Sequence, residues 1–309
     1  MFNFQKGISL IIVLWMLVIL TIIALAFGQN VRTEVTLAGN YQNQAKAQAL
    51  AEAGIWRATA MALNKAATQH EGERIHFDGH IYQLDSQHGE LEVSLQSSSG
   101  LIDLNRSPEA LIRGLITTIA DSEQAETITD SLLDWRDEDD LKRLSGAERK
   151  DYISAGKAYF PKNGPMNSVA ELARTYGMTD GLYQQLVPLT TVYSGQARID
   201  INTAPKKVLL ALPGMTMATV ESILTARAVG DDNLDLSFMP IAARKYIGVS
   251  QNRFIKISSY AKINNTISGI IAEIDFRPTS EKPLVVLSWR QGLDNVFKDR
   301  TDELGLKIQ

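Results

Sequence analysis

Carboxylates supply the densest chemistry in this 309-residue chain. Asp134-Trp135-Arg136-Asp137-Glu138-Asp139-Asp140 packs five acids into seven positions, and Glu148 follows. Oxygen anions this close repel one another unless a cation or an arginine offsets them. A hard cation such as calcium takes just such ligands. Counted from Asp137 as position 1, Asp139 falls at 3 and Glu148 at 12, as in an EF-hand loop. Positions 5 and 6 are Leu141 and Lys142, where that loop needs an oxygen ligand and glycine, so an EF-hand is excluded. Two readings remain: a calcium site of another geometry, or a solvated loop neutralised by Arg136 and Arg143.

The other candidates are weaker. All four histidines fall between 70 and 88: His70, His76, His80 and His88. His76 and His80 would share a face on a helix, but their surroundings read as strand and turn, which favours solvent-facing positions. Leu212-Pro213-Gly214-Met215-Thr216, with Ala218, Val220, Ile223 and Arg227, is similar to a helix-hairpin-helix motif. DNA-binding versions bring backbone N–H groups to phosphate at a Gly-x-Gly turn. Thr216 replaces the second glycine, cations are few (Lys206, Lys207, Arg227), and Asp231, Asp232 and Asp235 follow, so a structural hairpin is favoured. With a net charge of −4 and a pI near 5.7 there is no broad basic surface, and no nucleic-acid partner is expected. The absence of cysteine removes disulfides and thiolate chemistry. No serine elbow, phosphate loop or paired catalytic carboxylates occur, so the reading is not an enzyme.

The elements that must carry these residues begin with Ile8–Phe27, ISLIIVLWMLVILTIIALAF, which holds no charge, proline or glycine. At ~1.5 Å per residue it spans ~30 Å, a bilayer core. Ala24-Leu25-Ala26 is similar to a signal cleavage site, but the apolar run is longer than a signal core and no helix breaker follows. Val31, Val35, Ala38, Leu50, Gly54, Ile55, Ala58, Met61 and Ala62 recur at helical spacing, which predicts one helix from Ile8 to about Thr68. Lys6 on the leader side puts the N-terminus in the cytoplasm and the bulk outside. HIYQLDSQHGELEVSLQ predicts a hairpin around Gln87-His88-Gly89, and RFIKISSYAKI, ISGIIAEIDFRP and PLVVLSWRQG predict three more strands. Asn264-Asn265 and the Pro278–Pro283 region link them. The fold class is therefore α+β: a long N-terminal helix on a small antiparallel sheet, interrupted by a large helical insertion.

The insertion contains a repeat. Leu101-Ile102-Asp103-Leu104-Asn105-Arg106-Ser107-Pro108 matches Arg198-Ile199-Asp200-Ile201-Asn202-Thr203-Ala204-Pro205. Each copy predicts a helix start with Asn, Ser or Thr as cap and proline in the first turn. Asn167-Ser168-Val169-Ala170-Glu171-Leu172 predicts a third, ending at Gly177.

Taken in order, these segments resemble the minor pseudopilin K family of the type II secretion system. The resemblance rests on Lys6-Gly7 before the apolar helix with Val13-Leu14-Trp15, Ala47–Gly54, Gly100–Asn105, Leu133–Asp137, Gly146-Ala147-Glu148, Asn163-Gly164-Pro165, Ile201–Pro205 with Leu212-Pro213-Gly214, and Leu287–Arg290. It covers nearly the whole chain. It implies a pseudopilin fold whose insertion holds two helix-hairpin-helix or SAM-like units. The expected organisation is a leader at 1–7, a transmembrane segment at 8–28, helix and first strands at 29–100, the insertion at 101–250 (units 101–195 and 196–250), and C-terminal strands and tail at 251–309. It also implies an inner-membrane precursor, cut after Gly7 by a prepilin peptidase and methylated at Ile8. Minor pseudopilins I and J would be partners, among other pseudopilus subunits, and the place would be the pseudopilus tip. Calcium is the implied cofactor, with Asp134, Asp137, Asp139, Asp140 and Glu148 as its candidate ligands. Where the family pattern leads to expect a further acid soon after Glu148, this chain has Arg149-Lys150 before Asp151. Ile12, the fifth residue after the cut, stands where most pilin-like subunits carry a glutamate that pairs with a neighbour's N-terminal amine. An apolar residue there suits a subunit with nothing above it, because a buried unpaired charge is costly. Two rivals are a membrane-anchored helix-hairpin-helix DNA receptor and a minor pilin of a type IV pilus.

Overall fold

The computed structural model describes residues 5–64, 75–228, 239–250, 252–277, 281, 283–294 and 297. His70, Asp231, Asp232, Asp235 and most of the Pro278–Pro283 region lie outside them.

Helix α1 runs from Gln5 to Leu63. No proline precedes Pro108, so nothing removes a helical hydrogen bond along this stretch. Among the described residues nothing packs on its first part: Leu10 is 75% exposed, Trp15 64% and Phe27 70%. This is one helix apolar and long enough to cross a membrane. The Thr21 hydroxyl donates to the Leu17 carbonyl, which satisfies it within the helix. The helix turns amphipathic later than the periodicity suggests. Val31 and Val35 remain exposed, and the buried stripe is Ala47, Ala51, Ile55, Ala58 and Thr59, at helical spacing.

That stripe lies on an antiparallel sheet of β1 (Asp78–Gln83), β2 (Glu90–Ser97), β7 (Phe254–Ile263), β8 (Thr266–Phe276) and β9 (Leu284–Gln291), in the order β1-β2-β7-β8-β9. The hairpin and the three C-terminal strands stand where alternation placed them. Leu91, Val93, Leu95, Ile255, Ile257, Ala261, Ile270, Ala272 and Ile274 face the helix. Gly54 sits where a Cβ would collide with the Ser259 and Leu91 side chains, so helix and sheet touch backbone-close. The opposite face of the sheet is mixed. There Lys256 pairs with Asp294 at 3.1 Å, Ser258 Oγ donates to the same carboxylate at 2.6 Å, and Tyr260 stacks on buried Phe297 at 5.7 Å.

The insertion leaves at the end of β2 and returns at the start of β7, two neighbouring strands in which Ser97 pairs with Ile255. It comprises, in chain order, β3 (Ile102–Asp103), α2 (Glu109–Thr117), α3 (Ser122–Arg136), α4 (Arg149–Ser154), a 3-10 turn at Val169–Arg174, α5 (Asp180–Leu186), β4 (Thr190–Thr191), β5 (Ile199–Asp200), α6 (Lys206–Leu210), α7 (Met217–Ala228), α8 (Ile241–Arg244) and β6 (Ile247–Gly248). One continuous core joins Ile102, Leu111, Ile128 and Leu132 to Ile199, Val208, Leu209, Val220 and Ile223. Gly114 lies against the Ala211 backbone, so α2 and α6 approach closely.

The sequence repeat is a structural repeat. β3 pairs in parallel with β4, and β5 pairs in parallel with β6. In each copy a buried aspartate closes the unit. Asp103 Oδ1 accepts from the N–H groups of Asn105 and Arg106, and Oδ2 accepts from Ser194 Oγ and Gly195 N, all at 2.8–3.0 Å. Asp200 accepts from Asn202 N at 3.0 Å and Ser250 N at 3.2 Å. This corrects the expected caps. Pro108 and Pro205 are the N-cap residues of α2 and α6 and make no side-chain cap bond. Asn105 instead exchanges two hydrogen bonds with the Met166 backbone, at 2.9 and 2.8 Å. The expected third helix is the short 3-10 turn at Val169–Arg174, with Gly177 beyond it at φ +79°.

Candidate functional site

The acidic residues collect where α3 ends, the following loop turns, and α4 begins. Asp134 lies in the last turn of α3 and is fully buried. Its carboxylate accepts from Arg143 N at 3.3 Å and meets Arg143 Nε at 3.4 Å. Gly146 stands so close to Asp134 Oδ2 that a Cβ would not fit. Asp137 caps the C-terminus of α3 and is 3.9 Å from Arg143 Nη2, while its Oδ1 is buried without a hydrogen-bond partner. Asp139 Oδ1 accepts from Leu141 N at 2.8 Å, and Asp140 Oδ1 accepts from Asn163 Nδ2 at 2.9 Å. Glu148 is the N-cap of α4 in a capping box with Asp151, and its buried carboxylate faces the first-turn N–H groups of α4 without a full hydrogen bond to either oxygen.

The electrostatics follow from that geometry. Burial pushes Glu148 up to about 7, and Asp134, Asp137 and Asp140 add to the rise. Burial and the neighbouring Asp137 push Asp134 up to about 6, against the pull of Arg143. Asp137 is raised by burial and by Asp139. The acids around Asp134, Asp137 and Glu148 therefore raise one another, and Arg143 offsets them only in part. Arg143 is the arginine that turns to the cluster. Arg136 turns away and donates to the carbonyls of Leu104 and Ser107 at 2.7 and 3.1 Å.

Sequence reasoning missed the support beneath this cluster. Asp130, one turn before Asp134, accepts from Arg113 Nη2 at 2.9 Å and Ser145 N at 3.1 Å, and Arg113 also binds Glu109 at 2.8 Å. The i,i+4 spacing of Asp130 and Asp134 on α3 was the available signal. Asp151 is no free ligand: Lys142 Nζ holds it at 2.7 Å, and it accepts from Glu148 N at 2.9 Å.

These residue types are the ones a hard divalent cation takes. Among the described residues, however, no group of three or more His, Cys, Asp or Glu side chains is placed to hold a metal ion. Yet Glu148 and Asp137 present three buried oxygens without protein partners, which is what a cation would satisfy.

Two of the three cations of the second candidate site are engaged elsewhere. The turn between α6 and α7 has Gly214 at φ +78° and Thr216 Oγ1 accepting from Thr219 N at 3.2 Å. Lys206 is paired with Glu221 at 3.3 Å. Arg227 is buried and donates to the Ala204 carbonyl at 2.7 Å, and burial holds its guanidinium down at about 10. Neither is presented to a phosphate backbone.

A long exposed apolar helix running into a helix-on-sheet domain is an architecture similar to that of pilin-like subunits. The chain is similar in sequence to K proteins of the type II secretion system. Residues 94–195 match the family model for type II secretion system protein K, and residues 6–55 match the PilX N-terminal model. Type II secretion system protein K of Klebsiella pneumoniae is 25% identical over 284 residues, covering 81% of this chain and 86% of that one. The Pseudomonas aeruginosa protein is 27% identical, covering 72% of each. The Dickeya chrysanthemi protein is 35% identical over 118 residues, 38% of this chain and 29% of the relative's length. A chain in the crystal structure of the GspK–GspI–GspJ complex from enterotoxigenic Escherichia coli has the same fold. Its TM-score is 0.55 at 19% identity, covering 78% of this chain and 96% of that one.

Proposed function

We propose that this chain is a minor pseudopilin at the tip of the type II secretion pseudopilus, which initiates and caps the filament used for protein export across the outer membrane. The observation that carries the reading is α1. It is fully exposed and apolar where a membrane or a filament core would cover it, and it is continuous with the spine of a pilin-type domain bearing a bulky insertion. Protein export by this route needs packing and assembly rather than bond chemistry, so the role is structural. The anchor sits in the inner membrane with its N-terminus cytoplasmic and the domain periplasmic. A prepilin peptidase cuts between Gly7 and Ile8, and Ile8 becomes the methylated N-terminus. Ile12 supports the tip position, since it brings no carboxylate into the apolar stem, and the insertion would obstruct a subunit stacked above.

Minor pseudopilins I and J are the proposed partners, because a solved relative of this fold is held in a complex with GspI and GspJ. Calcium is the proposed cofactor, held by Glu148, Asp137 and Asp134 with Asp139 and Asp140 beside them. When bound, the ion would cancel the mutual repulsion of these carboxylates and fix the loop between α3 and α4. The unpartnered oxygens of Glu148 support this assignment.

The decisive measurement is the N-terminal mass of the mature protein together with co-purification. A chain beginning at methylated Ile8 that co-purifies with I- and J-type subunits is expected. A mature chain beginning at Met1 or near Phe27 would overturn the reading. Co-purification with the subunits of a type IV pilus instead would make it a minor pilin of that system.

A further inference from the structure

His76 and His80 would be about 13 Å apart on a regular strand, at ~3.3 Å per residue. Their ring centroids are 6.1 Å apart. The backbone between them is the cause. Gly79 adopts φ +90°, and the pairing of β1 with β2 loses register between Asp78 and Ile81. Two hydrogen bonds hold the fold-back. Asp78 Oδ1 accepts from His80 N at 3.1 Å, and the Tyr82 hydroxyl accepts from His76 N at 2.6 Å. His80 then packs edge-on against the Tyr82 ring at 5.0 Å. The two imidazoles are thus brought together by the backbone before any ligand arrives.

The geometry points to a surface site for a divalent transition metal held by His76 and His80. Two imidazoles on one tetrahedral zinc, with Zn–N near 2.0–2.1 Å, place their ring centroids about 5 Å apart, so the observed 6.1 Å asks the rings to close by about 1 Å. Imidazole nitrogen selects zinc, nickel or copper over calcium or magnesium, so this site and the carboxylate cluster of the insertion take different ions. No group of three His, Asp or Glu ligands converges among the described residues, so these supply two nitrogens, and water can complete the coordination. His88, in the turn that joins β1 to β2, forms no ring pair with either histidine among the described contacts and serves as the internal control. The site lies on the edge strand β1 and does not depend on the pilus role.

The test uses the full mature chain in detergent, stripped with chelator and held in excess calcium to saturate the carboxylates. ZnCl2 is titrated by calorimetry, with bound zinc counted after equilibrium dialysis. One zinc per chain is expected. His76→Ala and His80→Ala should each weaken it by roughly tenfold or more, a loss typical even of outer-shell partners. His88→Ala should leave it within about twofold. Zinc-induced shifts of two histidine ring resonances, absent from the corresponding variants, give a readout that does not rest on affinity. Far-UV circular dichroism of the variants separates ligand loss from misfolding, and in the event of misfolding the resonance shifts of the wild-type chain decide. No zinc bound, binding indifferent to both alanine variants, or equal loss in His88→Ala would overturn the proposal.

Discussion

Glu148 is the residue whose surroundings disagree most with its charge. Both its oxygens are buried without partners, and three acids raise the cost of ionising it. Glu148→Gln is therefore expected to stabilise the metal-free protein by about 1–3 kcal/mol, because it removes a buried unpaired charge. The same change should abolish most of the rise in Tm that calcium gives the wild type. Thermal melts with calcium and with chelator check both signs, and a calcium response unchanged in the variant would remove Glu148 from the ligand set. Asp275 is the opposite case. It is buried on β8 and shared by Arg253 at 2.7 Å and by Arg277, and these hydrogen bonds hold its carboxyl below the usual aspartate value of 3.8. A depressed folded value contributes stability above the unfolded one and loses it as pH falls. Asp275→Asn should therefore melt lower than wild type at pH 7, and the gap should close as pH drops below about 4. A gap that stays constant across that range would mean the two arginines contribute nothing through charge. Residue types and spacing announced the acidic cluster but not the direction each side chain takes. Arg136 goes to two backbone carbonyls and Arg143 to the carboxylates, and which arginine serves which group depends on how α3 packs on α2.

At the scale of elements, periodicity was a good guide wherever one face of an element is buried by its own chain. Alternation gave the hairpin of β1 and β2 and the three C-terminal strands, because each alternates between the apolar core under α1 and a polar outer face. The same reasoning overextended at Val31 and Val35, whose spacing fits the stripe although no sheet lies beneath them. It also gave a full helix at residues 167–177, where the structure holds a 3-10 turn. The Asn-x-x-Pro segments did begin helices, but buried Asp103 and Asp200, not the asparagines, take up the local N–H groups. A repeat 97 residues apart is visible in sequence, whereas the pairing of each copy with a later strand is a long-range contact with no local signature. A tight contact between α1 and the sheet lies at Gly54. Gly54→Ala raises intrinsic helix propensity yet should lower stability, by about 1–3 kcal/mol, because the added methyl meets Ser259 and Leu91. Gly39→Ala, in the same helix with nothing within 4 Å, should leave the melt unchanged or raise it. If both variants shift the melt alike, the close approach of helix and sheet is not what Gly54 serves.

At the scale of the whole molecule, the insertion is a very long connection between two hydrogen-bonded neighbours, Ser97 on β2 and Ile255 on β7. The sheet face nearest the insertion's attachment is polar, with Lys256, Ser258 and Glu273 on it, so losing the insertion would not bare an apolar surface. Replacing residues 98–253 by a short Asn-Gly turn is therefore expected to leave a folded helix-and-sheet domain. A cooperative melt and a β-sheet circular-dichroism signal would bear that out, and a molten chain would mean the sheet needs the insertion. The same connection sets an order in time. The strands that close over the inner stripe of α1 come on either side of some 157 intervening residues, and joining the ends of a flexible loop that long costs about 4–5 kcal/mol of chain entropy. Once the insertion has folded, its two ends are already adjacent and most of that cost has gone. A chain made from its N-terminus would hold β1, β2 and a half-covered helix until the insertion had condensed and β7 to β9 arrived. The helix that anchors the molecule earliest is the element whose apolar face is sheltered last.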